Sequence, residues 1–189
     1  MNPRATTTKL SDATTGYLVA GLVLAFSLFM GLVALPYLGA RNAETSPLVG
    51  KPAPDFLLPY VSPRERGRDQ RLSDLQGKVV VLDFWASWCV PCRAQTPVLE
   101  RVANQVGRDK LLVLGVGTSD ERSAISRFLD ENPPGYASVY DDQGMASSAY
   151  RVQGLPTLVV IGSDGTVRAL ATGLADETEL GRLVRDALQ

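Results

Sequence analysis

The chain has 189 residues, with 19 Lys and Arg against 20 Asp and Glu, a formal net charge of −1 and no histidine. A near-neutral balance gives nucleic acid or another polyanion no footing. The missing imidazole excludes histidine general bases, histidine-ligated metals and c-type haem attachment. The two cysteines are too few for a four-thiolate zinc site, so neither a metal nor another cofactor is expected.

Residues 13–40 carry no charge, and Gly16 to Leu38 is dominated by Leu, Val, Ala, Phe and Gly. A helix of ~23 residues rises about 35 Å, enough to cross a hydrocarbon core of about 30 Å. Tyr17 and Tyr37 stand near its ends, where aromatic belts form, and Pro36 is placed to stop it. Arg4 and Lys9 outweigh Asp12 before the run, whereas Arg41 and Glu44 cancel after it. The expectation is a cytoplasmic N-terminus at 1–12, one transmembrane anchor at 13–40, and the remainder outside the cytoplasm, periplasmic or its equivalent. A cleaved signal peptide is the competing reading. Such peptides have a shorter apolar stretch and an Ala-x-Ala-like site, which Leu38-Gly39-Ala40 matches poorly. Residues 41–54, with three prolines and no periodicity, read as a linker.

The domain expected over 55–189 alternates strands and helices. Asp55–Leu58 is a short strand candidate, and the arginine-rich stretch 64–71 reads as a solvated connection. Lys78–Phe84, containing Val79-Val80-Val81-Leu82, predicts a buried strand. A helix follows from about Cys89 to Val106, stopped by Gly107. Leu111–Val116 is a second buried strand. Ser119 or Asp120 is placed to cap a helix reaching Glu131, before Asn132-Pro133-Pro134-Gly135. Ser138–Tyr140 predicts a strand and Met145–Tyr150 a short helix. Thr157–Ile161 and Val167–Ala171 form a hairpin around Ser163-Asp164-Gly165. Asp176 with Glu179 resembles a capping box opening a last helix. This order predicts an α/β fold, a central mixed sheet flanked by helices.

Both cysteines lie in Trp85-Ala86-Ser87-Trp88-Cys89-Val90-Pro91-Cys92, directly behind the first buried strand. A disulfide closing so small a ring constrains the unfolded chain little, so a purely structural role is a weak explanation. A cysteine at a helix start receives backbone N–H groups and the positive end of the dipole, and both favour the thiolate that attacks disulfides. Pro91 suits the first helical turn. Cys89 is expected to be the exposed nucleophile and Cys92 the buried resolving thiol. Trp85 and Trp88 are expected to flank them, one packing beneath the motif and one shielding the sulfur.

The segment Val81 to Pro97 resembles the active-site segment of thioredoxins, most closely the membrane-anchored TlpA/ResA/CcmG-like thiol:disulfide oxidoreductases with a redoxin or AhpC-TSA-type domain. The resemblance runs over about residues 48–189. It includes Val49-Gly50-Lys51-Pro52-Ala53-Pro54-Asp55-Phe56 and Gly154-Leu155-Pro156-Thr157. It implies a thioredoxin fold and places Pro156 as the cis-proline beside the cysteines. Leu155 and Trp88 are then expected to bind the client's chain, and Pro97 to kink the active-site helix. Asp83 matches the buried acid under the dithiol, which would take the proton of Cys92; the plainer alternative is a strand-end carboxylate in solvent or hydrogen-bonded nearby. The resemblance further implies protein thiol and disulfide substrates, including apocytochrome c, and a membrane electron donor of the DsbD/CcdA kind.

Two departures qualify it. Many anchored relatives carry a neutral residue where Asp83 stands. Many also carry Glu where Gln95 stands, and Gln cannot titrate, so any acid role of that Glu is absent here. A dipeptide containing His stabilises the thiolate of strong oxidants, and Val90-Pro91 lacks it, which favours a reductant. The competing functions are a thiol peroxidase, since Val49–Leu58 also resembles the opening of peroxiredoxins, and a non-enzymatic binding module on the same scaffold.

Overall fold

The computed structural model describes residue 17, residues 20–31 and residues 46–189. Residues 20–31 are helical, with Leu22, Phe26, Leu28 and Phe29 exposed. Among the described residues no helix is long and apolar enough to cross a membrane. Most of the anchor expected at 13–40, and all of the N-terminal stretch 1–12, lie outside the described residues.

The domain runs β1 (Leu57–Pro59), β2 (Asp69–Arg71), a short 3-10 turn (Leu72–Leu75), β3 (Val79–Trp85), α1 (Val90–Val106), β4 (Leu111–Gly117), α2 (Arg122–Glu131), β5 (Ala137–Tyr140), α3 (Met145–Ala149), β6 (Thr157–Ile161), β7 (Val167–Thr172) and α4 (Glu177–Ala187). Five strands make one mixed sheet in the order β5-β4-β3-β6-β7. β3 and β4, and β4 and β5, are parallel; β6 runs antiparallel to β3 and to β7. The mixture follows from the connections. Helices carry the chain between the parallel strands, whereas the turn at Ser163–Gly165 reverses it directly.

β3 is central and buried throughout. Its β-branched run suits a pleated, covered strand, and its side chains alternate between two cores. Val79 and Val81 pack with Leu99 and Val102 of α1 and Leu180 and Val184 of α4. Val80, Leu82 and Phe84 face the other way, onto Tyr150 and Ala146, with Phe56, Leu58 and Tyr60 packed against them. Each such side chain contributes about 1.5–3 kcal/mol by leaving water. A third cluster at the sheet's C-terminal end joins Trp85, Cys89 and Cys92 to Ile125 and Leu129 of α2.

Three stretches differ from the sequence reading. Residues 69–71, within the expected solvated connection, form β2 against β1; a polar strand three residues long has too few side chains to show periodicity. Residues 46–54 dock rather than dangle: Gly50 N–H donates to Val167 O at 2.8 Å and Ala53 N–H to Gly165 O at 2.8 Å, and Leu48 and Ala53 pack on the core. The packed domain therefore starts ahead of Asp55. Neither Ser119 nor Asp120 caps α2, whose N-cap is Glu121 with no side-chain bond. At α4 half of the expected capping box forms, with Asp176 accepting from Glu179 N–H at 2.8 Å.

Candidate active site

β3 ends at Trp85, and residues 86–89 turn the chain into α1. Cys89 is the N-cap, with extended backbone angles, and its Sγ accepts the Cys92 N–H at 3.2 Å. The sulfur thus stands where a Ser or Asp oxygen caps other helices. A thiolate formed there gains that N–H and the positive end of the helix. Cys89 and Cys92 are joined as a disulfide. Both are 2% exposed, so the expectation of an exposed Cys89 does not hold in this oxidised state. Cys89 packs in the cluster of Trp85, Ile125 and Leu129.

The turn is braced from the loop after β4, which the sequence reading left out of the site. Asp120 Oδ2 accepts the Ser87 N–H at 2.7 Å, and its Oδ1 accepts the Glu121 N–H at 2.8 Å. This commitment is why Asp120 does not serve as the cap of α2. The Trp88 indole donates to Ser119 O at 3.0 Å, Arg93 Nη2 to Ser87 O at 2.7 Å, and Tyr140 Oη to Asp120 O at 2.9 Å. Ser119 adopts the left-handed region at φ 55°, which aims its carbonyl at the indole. Trp88 itself is 59% exposed and Val90 is 71% exposed, whereas Trp85 is buried against Phe128 with ring centroids 5.6 Å apart. Trp85 packs in the cluster that holds both cysteines, as expected of one tryptophan, whereas Trp88 stands exposed and outside that cluster.

Pro156 is buried at the start of β6, the Leu155–Pro156 peptide is cis, and Leu155 packs against the cluster that holds both cysteines. Pro97 sits inside α1, where its missing N–H leaves the Arg93 carbonyl without a helical partner.

Beneath the cysteines the surroundings change. Asp83 is 1% exposed, which excludes a carboxylate in solvent, and it is hydrogen-bonded nearby, by Tyr136. Burial pushes its carboxyl up to about 7, against the opposing pull of a 3.0 Å hydrogen bond donated by Tyr136 Oη to Oδ2. Asp83, Gly115 and Ser138 form one row across β3, β4 and β5. Glycine is required in the middle: a Cβ at Gly115 would collide with Ser138 Oγ and come within 3.1 Å of Trp85 Nε1. Asp83 Oδ1, Trp85 Nε1 and Ser138 Oγ are buried with no hydrogen-bond partner among the described residues. A groove of about 360 Å³ between α1 and α2 is lined by Cys92, Trp85, Thr96, Glu100, Tyr136 and Ser138, among others. The resolving thiol and the polar floor therefore open onto one space. Tyr136, Gly115 and Ser138 were missed in the sequence; a lone glycine inside an apolar strand is the one signal that marked a close approach there.

A helix-capping dithiol on a thioredoxin fold defines the class. The chain belongs to the AhpC/TSA family, whose model matches residues 49–170. It is 30% identical over 146 residues to the thiol-disulfide oxidoreductase ResA of Geobacillus kaustophilus (strain HTA426), covering 77% of this chain and 82% of that protein. It is 31% identical over 157 residues to the thiol:disulfide interchange protein DsbE of Pseudomonas aeruginosa, covering 82% and 81%. The crystal structure of a DsbE-type thiol:disulfide interchange protein from Chlorobium tepidum superposes with a TM-score of 0.67 at 31% identity, covering 75% of this chain and 98% of that one. With the Cys89–Cys92 pair in place, the protein is a thiol-disulfide oxidoreductase.

Proposed function

We propose that this protein is a membrane-anchored, extracytoplasmic reductant of protein disulfides. The observation that carries the reading is the N-cap position of Cys89, with Cys92 one turn behind it and Asp83 buried on the strand that leads into the motif. In the reduced protein the Cys89 thiolate attacks one sulfur of a client disulfide, forming a mixed disulfide and releasing a client thiolate. Cys92 loses its proton to Asp83 and attacks Cys89 Sγ. The Cys89–Cys92 disulfide forms and the second client thiolate leaves. The two electrons given up are restored by a dithiol donor in the membrane, of the DsbD/CcdA kind. Leu155 and Pro156 present the client's chain beside Trp88.

The charge-free run at 13–40 and the exposed apolar side chains of the helical residues 20–31 support the anchor. Relatives named ResA and DsbE support apocytochrome c as one client class. Gln95 stands where the family resemblance implies a titratable residue, so clients beyond apocytochromes are part of the proposal. Val90-Pro91, with no histidine between the cysteines, supports transfer in the reducing direction.

The test is a Cys92→Ala trap expressed in intact membranes. Cys89 should accumulate mixed disulfides with extracytoplasmic proteins and with a membrane dithiol protein. Recovery of the trap without any partner during reducing turnover would overturn the proposal. Peroxide turnover outpacing disulfide reduction would replace it with the peroxidase reading.

A further inference from the structure

Every turn of the dithiol moves a proton that the buried floor cannot pass to water by itself. Asp83 is 1% exposed, and among the described residues its carboxyl meets one hydrogen-bonding group, the Tyr136 hydroxyl at 3.0 Å. Tyr136 is only partly buried and lines the groove between α1 and α2 that also reaches Cys92. It therefore touches both the acid and the open groove. The α1 wall of that groove carries a pattern that the chemistry above leaves unused. Cys92, Thr96 and Glu100 recur every four residues, so they stand on one stripe of the helix, and all three line the groove. Thr96 Oγ1 donates to Cys92 O at 3.4 Å. Glu100, half-buried, accepts the Gly135 N–H at 2.6 Å, which fixes its carboxylate beside the backbone that carries Tyr136. Arg108 reaches the same glycine, and Arg93 and Glu131 are the other charged groups on the groove. Burial, and then the charge of Asp83, push the Tyr136 hydroxyl well above its ordinary 10. The phenol therefore keeps a proton at all times and can pass one on only by exchange.

We propose that Tyr136 is the proton passage of the floor: its hydroxyl carries the proton taken up by Asp83 into the groove, and Glu100 is the carboxylate that hands it to solvent. This rests on the thiol-disulfide reading and adds to it the path by which Asp83 is emptied. While Asp83 is ionised, Tyr136 donates to it. Once Asp83 has taken the Cys92 proton, the new O–H points at Tyr136 Oη and the phenolic O–H turns to the groove. The O–H bond on Asp83 then breaks as one forms on Tyr136, and the original phenolic proton leaves through the solvent of the groove to Glu100. Tyr136 ends neutral with its O–H again on Asp83, and Asp83 ends ionised, able to accept the next proton. The reverse sequence returns a proton when the donor restores the Cys92 thiol. No electron moves in either direction. Tyr136 and Glu100 act on the sulfurs only through Asp83, so both are positioning residues.

The test follows insulin reduction by the full-length protein, with dithiothreitol as donor, at pH 9, above the titration of Asp83. Tyr136→Phe keeps the ring and removes the hydroxyl. Glu100→Gln keeps an acceptor for the Gly135 N–H and removes the charge. Tyr136→Phe should lower kcat roughly ten-fold and Glu100→Gln about three-fold. A solvent deuterium isotope effect on kcat, larger than the parent's, should appear in both. Added imidazole, a base small enough for a groove of about 360 Å³, should restore the lost rate in proportion to its concentration and leave the parent unchanged. The glutathione equilibrium of Glu100→Gln should stay at the parental value, because a path alters rates and not end states. A parental kcat in Tyr136→Phe overturns the passage. So does a loss that imidazole does not restore, by showing that the hydroxyl only holds the fold. If Tyr136→Phe fails to fold, Glu100→Gln decides: a parental kcat, or a shifted glutathione equilibrium, overturns the proposal. If the parent protein reduces no insulin, the functional reading itself fails.

Discussion

The mouth of the dithiol site and its floor are built on opposite principles. At the mouth every polar group named above has a partner: Ser87 is held at its N–H by Asp120 and at its carbonyl by Arg93, Trp88 by Ser119, and the Cys92 N–H by Cys89 Sγ. At the floor three buried polar atoms have none, and Asp83 receives one donor where an ionised carboxylate takes several. Satisfied hydrogen bonds fix geometry, which a nucleophile entering a client disulfide needs. Unsatisfied ones penalise charge. The floor therefore raises the carboxyl's affinity for a proton, so that near neutrality it is divided between its two forms and can take up the proton that has to move during resolution. Position is specified at the rim and protonation at the base, within the same turn of chain.

The largest expected effect comes from removing the charge at the floor. In the folded protein Asp83 titrates at about 7, against an ordinary 3.8. Between these values the folded state holds a proton that the unfolded chain has released, so stability falls as pH rises through this window and is then level. Asp83→Asn keeps an acceptor for Tyr136 and cannot ionise. At pH 8 it should be more stable than the parent by on the order of 2–4 kcal/mol, and near pH 4 the difference should vanish. Urea denaturation at the two pH values measures it. The same variant should turn over protein disulfides about 10- to 100-fold more slowly, having lost the proton acceptor. Equal stability at pH 8 would mean that the floor solvates the carboxylate after all, and the contrast with the mouth would collapse.

At the mouth the corresponding change is smaller and has the opposite sign. Asp120→Ala leaves the Ser87 N–H without its acceptor and should destabilise the domain by about 1–2 kcal/mol. The loss should show little dependence on pH between 5 and 8, unlike the gain in Asp83→Asn, because the bond is geometric in purpose. Thermal unfolding across this range separates the two. A loss that varied with pH over the window in which the Asp83→Asn gain develops would make the mouth an electrostatic device as well.

Much of this division was legible in the sequence, for reasons that differ by element. β3, β4 and β6 are continuous apolar runs, and the Cys-x-x-Cys sits where a strand hands over to a helix, so strand, helix start and dithiol could be read together. Pro156 and Asp83 came from resemblance: nothing in an isolated proline specifies a cis bond, and nothing in an isolated aspartate says that its strand is covered on both faces. The braces were illegible because they act across large separations. Asp120 reaches Ser87 over 33 residues and Gln95 reaches Ala175 over 80. In the sequence Asp120 has the features of a helix cap; only the packing of the β4 loop against the β3 loop shows its carboxylate turned to another use. β2 escaped because its three polar residues are ordered by pairing with β1, not by burial.

The smallest effect tests the one donor that the floor possesses. Among the described residues, Tyr136 Oη is the only group that hydrogen-bonds the Asp83 carboxyl, and it favours the ionised form. Tyr136→Phe removes the hydroxyl and keeps the ring that shields the acid. Without the bond, burial acts unopposed, and the Asp83 carboxyl should titrate roughly half a unit to one unit higher, equivalent to about 0.7–1.4 kcal/mol. Carboxyl-selective carbon NMR of the aspartate side chains, followed from pH 4 to 10, reads the shift directly. A residue that merely filled space would leave the titration where it is, and a shift downward would mean that the ring admits water once the hydroxyl is gone. An upward shift with the mouth undisturbed, seen as an unchanged Trp88 indole resonance, would show that protonation at the floor can be tuned while the nucleophile's position is kept.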